Sequence, residues 1–191
     1  MTTVSILGKG TMGTAIAGIV ERGGNVAESF DSKDTDKPVT GDVVVLAVPY
    51  PVVKDVLDQR ADQLAGKIVV DITNPLDFET FDSLTVAPDS SATAEIAAAL
   101  PTSQVLKAFN TNFAATLSSG TVGDAATTVL IAGDDADAKA SLAEIVTAGG
   151  LVATDSGSLR RARELESLGF LQITLAASEK VGWTGGFAVK A

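Results

Sequence analysis

Six residues near the start of the chain, Gly8-Lys9-Gly10-Thr11-Met12-Gly13, have the types and spacing needed to hold a diphosphate. Glycines at the first, third and sixth positions give a tight turn, a backbone open to a pyrophosphate, and a helix packed closely on the preceding strand. Three later stretches also combine strand ends with polar or rigid residues: Ala47-Val48-Pro49-Tyr50-Pro51, Thr73-Asn74-Pro75 and Ala108-Phe109-Asn110-Thr111. Each alone is an ordinary turn signal, but ligands of doubly wound sheets bind beyond the carboxyl ends of the strands, and four such ends in succession describe one rim. Asp31-Ser32-Lys33 falls about twenty residues beyond the glycine turn, where the adenosine ribose of a bound dinucleotide is read. An acid there suits the free 2′-hydroxyl of NAD, whereas a hydroxyl and a cation suit the 2′-phosphate of NADP, and both kinds of residue are present.

The chain has no histidine and no cysteine. That excludes Ser-His and Cys-His triads, thiol redox chemistry and the usual zinc sites. Tyr50 and Lys107 are the nearest candidates for a positioned proton donor, and Lys107, inside an apolar strand, reads as structural. No catalytic side chain and no metal ligand is assigned.

The elements that must position these residues follow from hydrophobic periodicity. Val4-Ser5-Ile6-Leu7 is a short strand, and Met12, Ala15, Ile16, Ile19 and Val20 mark one face of a helix that starts inside the motif. Its free N–H groups and positive dipole end then point at the phosphates. Residues 26–30 form a second strand, and the eleven residues 31–41, with Pro38, are too few for a crossover helix. The continuous apolar runs 42–48, 68–72 and 104–109 read as strands of a parallel sheet covered on both faces. Val53, Val56, Leu57, Ala61 and Leu64 give a helix between the first two of these runs, residues 76–91 are irregular, and residues 92–100 form an alanine-rich helix. A short helix follows Asn112. Residues 127–132 and 151–154 complete the strands, with Asp134, Asp135 and Asp137 placed as helix N-terminal charge rather than a cation site. The expected architecture is α/β: a Rossmann-like doubly wound, mostly parallel sheet in a single domain over 1–191, closed by a long helix at 158–180.

Length and composition narrow the partners. With 191 residues and 46% hydrophobic content the chain can bury a large core, and 24 acidic against 14 basic residues give a net charge of −10. Nucleic acid and anionic membrane surfaces are poor partners for such a chain. A cytoplasmic location is expected, because no run approaches the ~20 apolar residues of a membrane span and no basic and apolar leader opens the sequence.

Taken together, the glycine turn, Leu46-Ala47-Val48-Pro49, Asp71-Ile72-Thr73-Asn74-Pro75, Lys107-Ala108-Phe109-Asn110-Thr111, Asp155-Ser156-Gly157-Ser158-Leu159 and Ala162-Arg163-Glu164-Leu165-Glu166 resemble the NADP oxidoreductases that work with a hydride-carrying deazaflavin coenzyme. The resemblance covers nearly the whole chain. It implies NADP as cofactor, a deazaflavin as possible co-substrate, and Ser32-Lys33 in the place of the Ser-Arg pair that such enzymes use for the 2′-phosphate. Asp31 and the shortened loop after it depart from the pattern. Cofactor contacts are thereby expected from Gly8, Lys9, Gly10, Thr11, Met12, Gly13, Ser32, Lys33, Ala47, Val48, Pro49, Tyr50, Thr73, Asn74 and Pro75, and acceptor contacts from Phe109, Asn110 and Trp183. Hydride transfer between stacked rings needs proximity more than acid–base machinery, which suits a chain without histidine. The alternative is an NADP(H)-binding regulator or sensor without turnover. Reductases of imines or β-hydroxyacids share the first domain but add a helical domain larger than the 37 residues that follow Thr154 here.

Two features of the C-terminal region remain. Residues 168–177 are apolar nearly all round, which predicts burial on more than one side and a homodimer. Trp183, the only tryptophan, stands among glycines where a helix cannot continue. It is expected either to plug the core or the dimer seam beside the last helix with Phe187, or to fold back over the acceptor end of the cleft.

Overall fold

The computed structural model describes residues 1–190. Its centre is a five-stranded, wholly parallel sheet of β1 (Thr3–Leu7), β2 (Val26–Phe30), β3 (Val43–Leu46), β4 (Ile68–Asp71) and β5 (Gln104–Lys107), in the order β2-β1-β3-β4-β5. All four residues of β3 are buried, as a strand with a neighbour on each edge and helices on each face requires. The chain leaves β1 for β2 on one side, then crosses to β3 on the other. The ends of β1 and β3 therefore part at a topological switch, the crevice where such sheets bind ligands.

Two apolar layers cover the sheet. Ile6, Val45 and Leu106 meet Ile16 and Ile19 of α1 (Thr11–Arg22) and Leu142 of α5 (Ala136–Ala148). On the other face Leu7, Val44 and Leu46 meet Leu57 of α2 (Tyr50–Leu64) and Ile96 of α3 (Ala92–Ala99). Each such side chain contributes roughly 1.5–3 kcal/mol by leaving water.

Residues 31–42 contain no helix, as expected from their length, and the loop is held from behind. Arg60 of α2 donates Nη1 to Lys37 O at 2.9 Å and Nη2 to Asp34 O, and its guanidinium lies 5.5 Å from the Phe30 ring. After β5 come α4 (Ala114–Ser119) and a short hairpin, β6 (Thr121–Val122) with β7 (Ala125–Ala126), whose two-residue strands are too short to carry a period in the sequence. β8 (Thr128–Ile131) and β9 (Val152–Asp155) pair in parallel, and β8 joins the main sheet through one antiparallel bridge, Lys107 to Ala132. Of the acidic cluster before α5, Asp135 caps the helix by accepting from Ala138 N at 2.8 Å and Asp137 lies in its first turn, whereas Asp134 accepts from Leu159 N at 2.9 Å.

The last helix is shorter than 158–180. A 3-10 turn (Leu159–Arg161) leads into α6 (Ala162–Ala177), which ends before Glu179 takes a left-handed conformation at φ 59°. Nor is the helix covered all round, because Leu165, Gly169, Gln172 and Ala176 face inward while Leu171 is 50% exposed.

Candidate functional site

The glycine turn is built as its spacing requires. Gly8 has φ 125°, and a Cβ on it would lie 2.1 Å from Ala47 O at the end of β3; one on Gly13 would lie 2.0 Å from Gly8 O. No other residue fits either place. Gly10 differs, because it precedes α1 with an ordinary φ of −71° and a Cβ on it would meet nothing within 4 Å. The space above Gly10 is the cradle a pyrophosphate needs. No side chain caps the first turn of α1, whereas Ser91 and Asp135 cap α3 and α5. The N–H groups of that turn are thus available to an anion.

The turn stands between two clefts. The first, about 250 Å³, is lined by Gly8, Phe30, Asp31, Ser32, Val48 and Arg60, with Val52, Asp55 and Val56 of α2 forming its far wall. Lys9 reaches across to Asp31 at 3.2 Å and Asp34 at 3.1 Å. The backbone N–H of Lys33 and then the Lys9 ammonium hold Asp31 below the usual carboxylate range, and the hydrogen bond that Lys9 donates to Asp34 raises Lys9. Asp31 is thereby occupied, while the Lys33 ammonium makes no ion pair among the described residues and stays exposed. Arg60, buried and aimed at this loop, carried no sequence signal, since its partners are carbonyls 23 to 26 residues away.

The second cleft, about 270 Å³, is lined by Met12 of the glycine turn, Ile72, Asn74, Asn110, Asn112 and four aromatic residues, Phe78, Phe81, Phe113 and Trp183. Asn74 and Asn110 hold each other: Asn74 Nδ2 donates to Asn110 O and Asn110 Nδ2 to Asn74 Oδ1, both at 2.9 Å. α6 passes directly over this pair at Gly169, where a Cβ would come within 2.4 Å of Asn74 Oδ1. Three buried side-chain atoms lack a partner among the described residues, and all belong to these strand ends: Thr73 Oγ1, Asn110 Oδ1 and Asn112 Oδ1. Trp183 packs on Phe113 with centroids 5.0 Å apart and planes tilted by 55°, and it is 54% exposed, so it lines the cleft and does not plug the core. Phe187 also stays near the surface, its N–H donating to Gln172 Oε1 at 2.9 Å.

Beneath the second cleft lies a buried charge network. Lys107 Nζ, with no solvent exposure, donates to Asp71 Oδ2 at 2.8 Å, Glu166 Oε1 at 2.9 Å and Thr73 O at 2.6 Å. Thr93 Oγ1 donates to Asp71 at 2.7 Å, and the N–H groups of Ala92 and Thr93 donate to Glu166. Burial raises the Glu166 carboxyl above its ordinary range, against the pull of Lys107. The network ties β4, β5, α3 and α6 together, which gives Lys107 the structural role its sequence context indicates.

Two expected contacts need correction. Phe109 has φ 62°, which turns its side chain into the core beside Val4, Ile16 and Val45 at 2% exposure; it shapes the Asn110 turn but cannot reach an acceptor through its ring. The Tyr50 hydroxyl donates to Glu95, and the ring lines a separate groove between α2 and α3. Desolvation, then the Glu95 hydrogen bond, pushes the Tyr50 hydroxyl well above its ordinary pKa, opposite to what a proton donor needs. Of the remaining expected residues, Ala47 abuts Gly8, Pro49 is the residue just before α2 and Thr11 opens α1. Pro75 is buried, and its carbonyl accepts from Thr85 N at 2.7 Å.

A glycine turn at a switch point, with one cleft on either side of it, defines a dinucleotide-binding protein of the Rossmann class. The comparisons with known proteins agree and narrow the class. The profile of the family described as NADP oxidoreductase coenzyme F420-dependent matches residues 30–75. An F420-dependent NADP reductase from Methanocaldococcus jannaschii is 30% identical over 171 residues, which cover 87% of this chain and 76% of that protein. The chain belongs to this family of coenzyme F420-dependent NADP oxidoreductases. A crystal structure of a candidate F420-dependent NADP reductase from Arthrobacter sp. FB24 superimposes over 100% of both chains with a TM-score of 0.85 at 25% identity. Metalloreductase STEAP3 of Rattus norvegicus is 41% identical over 109 residues, covering 56% of this chain, and the match spans only 21% of STEAP3.

Proposed function

We propose that the protein is an NADP(H)-dependent oxidoreductase that passes hydride between a nicotinamide and a flat redox acceptor such as a deazaflavin. The observation that carries this reading is the position of the glycine turn between the two clefts, Gly8 in the wall of one and Met12 in the wall of the other. A dinucleotide laid across α1 would set its pyrophosphate above Gly10, its adenosine beside Asp31, Ser32 and Lys33, and its nicotinamide toward Met12, Asn74 and Asn110. NADPH bound in this way supplies the hydride, two electrons and one proton moving together to the acceptor. The chain's own residues do the rest. Lys33 and Ser32 donate to the 2′-phosphate, the first turn of α1 neutralises the pyrophosphate, and the aromatic residues of the second cleft exclude water from the transfer.

The same reading makes the chain a single cytoplasmic domain that works as a homodimer. No helix among the described residues is long and apolar enough to cross a membrane. The outward stripe of α6, with Leu168 and Leu175 half-buried and Leu171 exposed, supports a second copy as its cover. Size-exclusion chromatography with light scattering should give a dimer, and Leu171→Lys a monomer.

The enzyme reading is tested by mixing the protein with NADPH and a panel of deazaflavin, flavin and quinone acceptors and following absorbance at the nicotinamide band. Acceptor-dependent oxidation is expected. Tight NADPH binding with no oxidation by any acceptor would leave a nucleotide sensor instead.

A further inference from the structure

Three charged side chains beside the first cleft close on one another. Lys9 leaves the glycine turn and donates to Asp31 Oδ2 at 3.2 Å and to Asp34 Oδ2 at 3.1 Å, partners 22 and 25 residues away. Asp34 Oδ2 also accepts from Asp31 N at 2.9 Å, and the other Asp31 oxygen, Oδ1, accepts from Lys33 N at 2.8 Å. Both oxygens of the Asp31 carboxylate are therefore engaged by the chain itself. The loop that carries these acids is kept opposite Lys9 by Arg60, which holds the carbonyls of Asp34 and Lys37 from behind.

Asp31 matters because of where it stands. It is the first residue past β2 and lines the cleft together with Gly8, the place from which an acid accepts the free 2′-hydroxyl of NAD. An unpaired carboxylate there favours NAD and repels the negative charge of a 2′-phosphate. Lys9 cancels that repulsion. Across the glycine turn and residues 31–34, two cations, Lys9 and Lys33, stand against two carboxylates, Asp31 and Asp34, and removing Lys9 leaves one carboxylate uncompensated.

We infer that Lys9 is a cofactor-specificity residue that acts through Asp31: it occupies and neutralises the Asp31 carboxylate, turning an acid that would select NAD into a neighbour that tolerates a 2′-phosphate. Preference for NADP then has two sources. Ser32 and Lys33 attract the phosphate, and Lys9 silences the group that would reject it. The inference rests on the reading that the first cleft takes the adenosine ribose, and adds to it a residue of the glycine turn whose effect on the nucleotide is indirect.

The test is calorimetric titration of NADP and of NAD into the wild type and three variants. Lys9→Ala should bind NADP about tenfold more weakly and NAD about threefold more tightly, whereas Lys9→Arg, which keeps the cation, should keep the wild-type ratio of the two affinities. The double variant Lys9→Ala/Asp31→Ala decides how Lys9 acts. With Asp31 gone there is no acid at the ribose position to neutralise, so NADP affinity should return to within about threefold of the wild type. A ratio of two affinities on one protein is also insensitive to the fraction of it that is folded. A double variant as weak for NADP as Lys9→Ala would mean that Lys9 touches the phosphate itself, and an unchanged ratio in Lys9→Ala would give it no part in specificity; either result overturns the inference. Failure of the underlying reading would look different: the wild type itself would bind neither nucleotide, and the inference would fall with it.

Discussion

The two clefts on either side of the glycine turn are held by opposite means. Beside the first cleft the charges lie at the surface: Lys9 is 46% exposed in its side chain, and its partners Asp31 and Asp34 are 43% and 30% exposed. Beneath the second cleft Lys107, Asp71 and Glu166 have no exposed side-chain surface at all. Exposed pairs are screened and contribute little, so the loop after β2 can rearrange its side chains around a ligand at small cost. A buried cation shared by two carboxylates is another matter, because removing one member leaves the others charged and dry. The side of the turn proposed to take the adenosine is loosely pinned, and the side proposed to hold the two rings is rigidly pinned.

The largest expected effect tests the rigid end. Lys107→Met should cost about 3–5 kcal/mol of stability in chemical denaturation, because Asp71 and Glu166 would face each other without their cation. Lys9→Ala, its counterpart at the loose end, should leave the denaturation midpoint where it is. Equal losses would erase the contrast between the ends.

Gly10→Val separates binding from folding. Since a Cβ on Gly10 meets nothing, the variant should melt with the wild type yet lose nucleotide binding beyond detection in calorimetry. Undiminished binding would make the opening motif a turn and nothing more. At the adenosine end, Lys33→Ala should weaken NADP by ~10-fold or more and leave NAD nearly unaltered, as loss of a charge-assisted contact of roughly 1.5–3 kcal/mol implies. Equal losses for both nucleotides would remove Lys33 from the 2′-phosphate. At the other end, Trp183→Ala should raise the acceptor KM by ~10-fold and spare NADP affinity and melting temperature.

The smallest effect is a slope. Because burial raises Glu166 above its ordinary pKa of 4.5, the native state keeps that proton where the unfolded chain has released it. The resulting stabilisation is complete below pH 4.5 and is lost as pH rises through the raised value. Denaturation free energy measured across this window should therefore fall less steeply with pH in Glu166→Gln than in the wild type, and an identical slope would assign the proton elsewhere.

Much of this was legible in the residues because it is local. The glycine spacing, the apolar runs of β1, β3, β4 and β5, and the missing crossover helix at residues 31–41 all follow from short-range pattern, and strand limits differed by only one or two residues. What escaped was non-local or backbone-specific. Arg60 pairs with carbonyls across the loop, and the three-way contact of Lys107 with Asp71 and Glu166 spans separations of 36 and 59 residues. Nothing in the local sequence announces the left-handed turn at Phe109 that takes its ring away from the site. Phe78 and Phe81 did offer a signal, two aromatics three apart in a polar, aperiodic stretch, which is an expensive place to leave them unless something docks there.

The absent crossover unit has one more consequence. The main sheet stops at β2, so that strand presents a free row of backbone donors and acceptors, the feature through which sheets recruit foreign strands and aggregate. Here the edge is blunted. β2 is only five residues long, and it carries Glu28, whose carboxylate accepts from the Thr40 hydroxyl at 2.7 Å as the following loop comes back past the strand. Shortness and charge at this strand therefore keep the sheet from unwanted partners, and Glu28→Val would threaten solubility while leaving the glycine turn as it is.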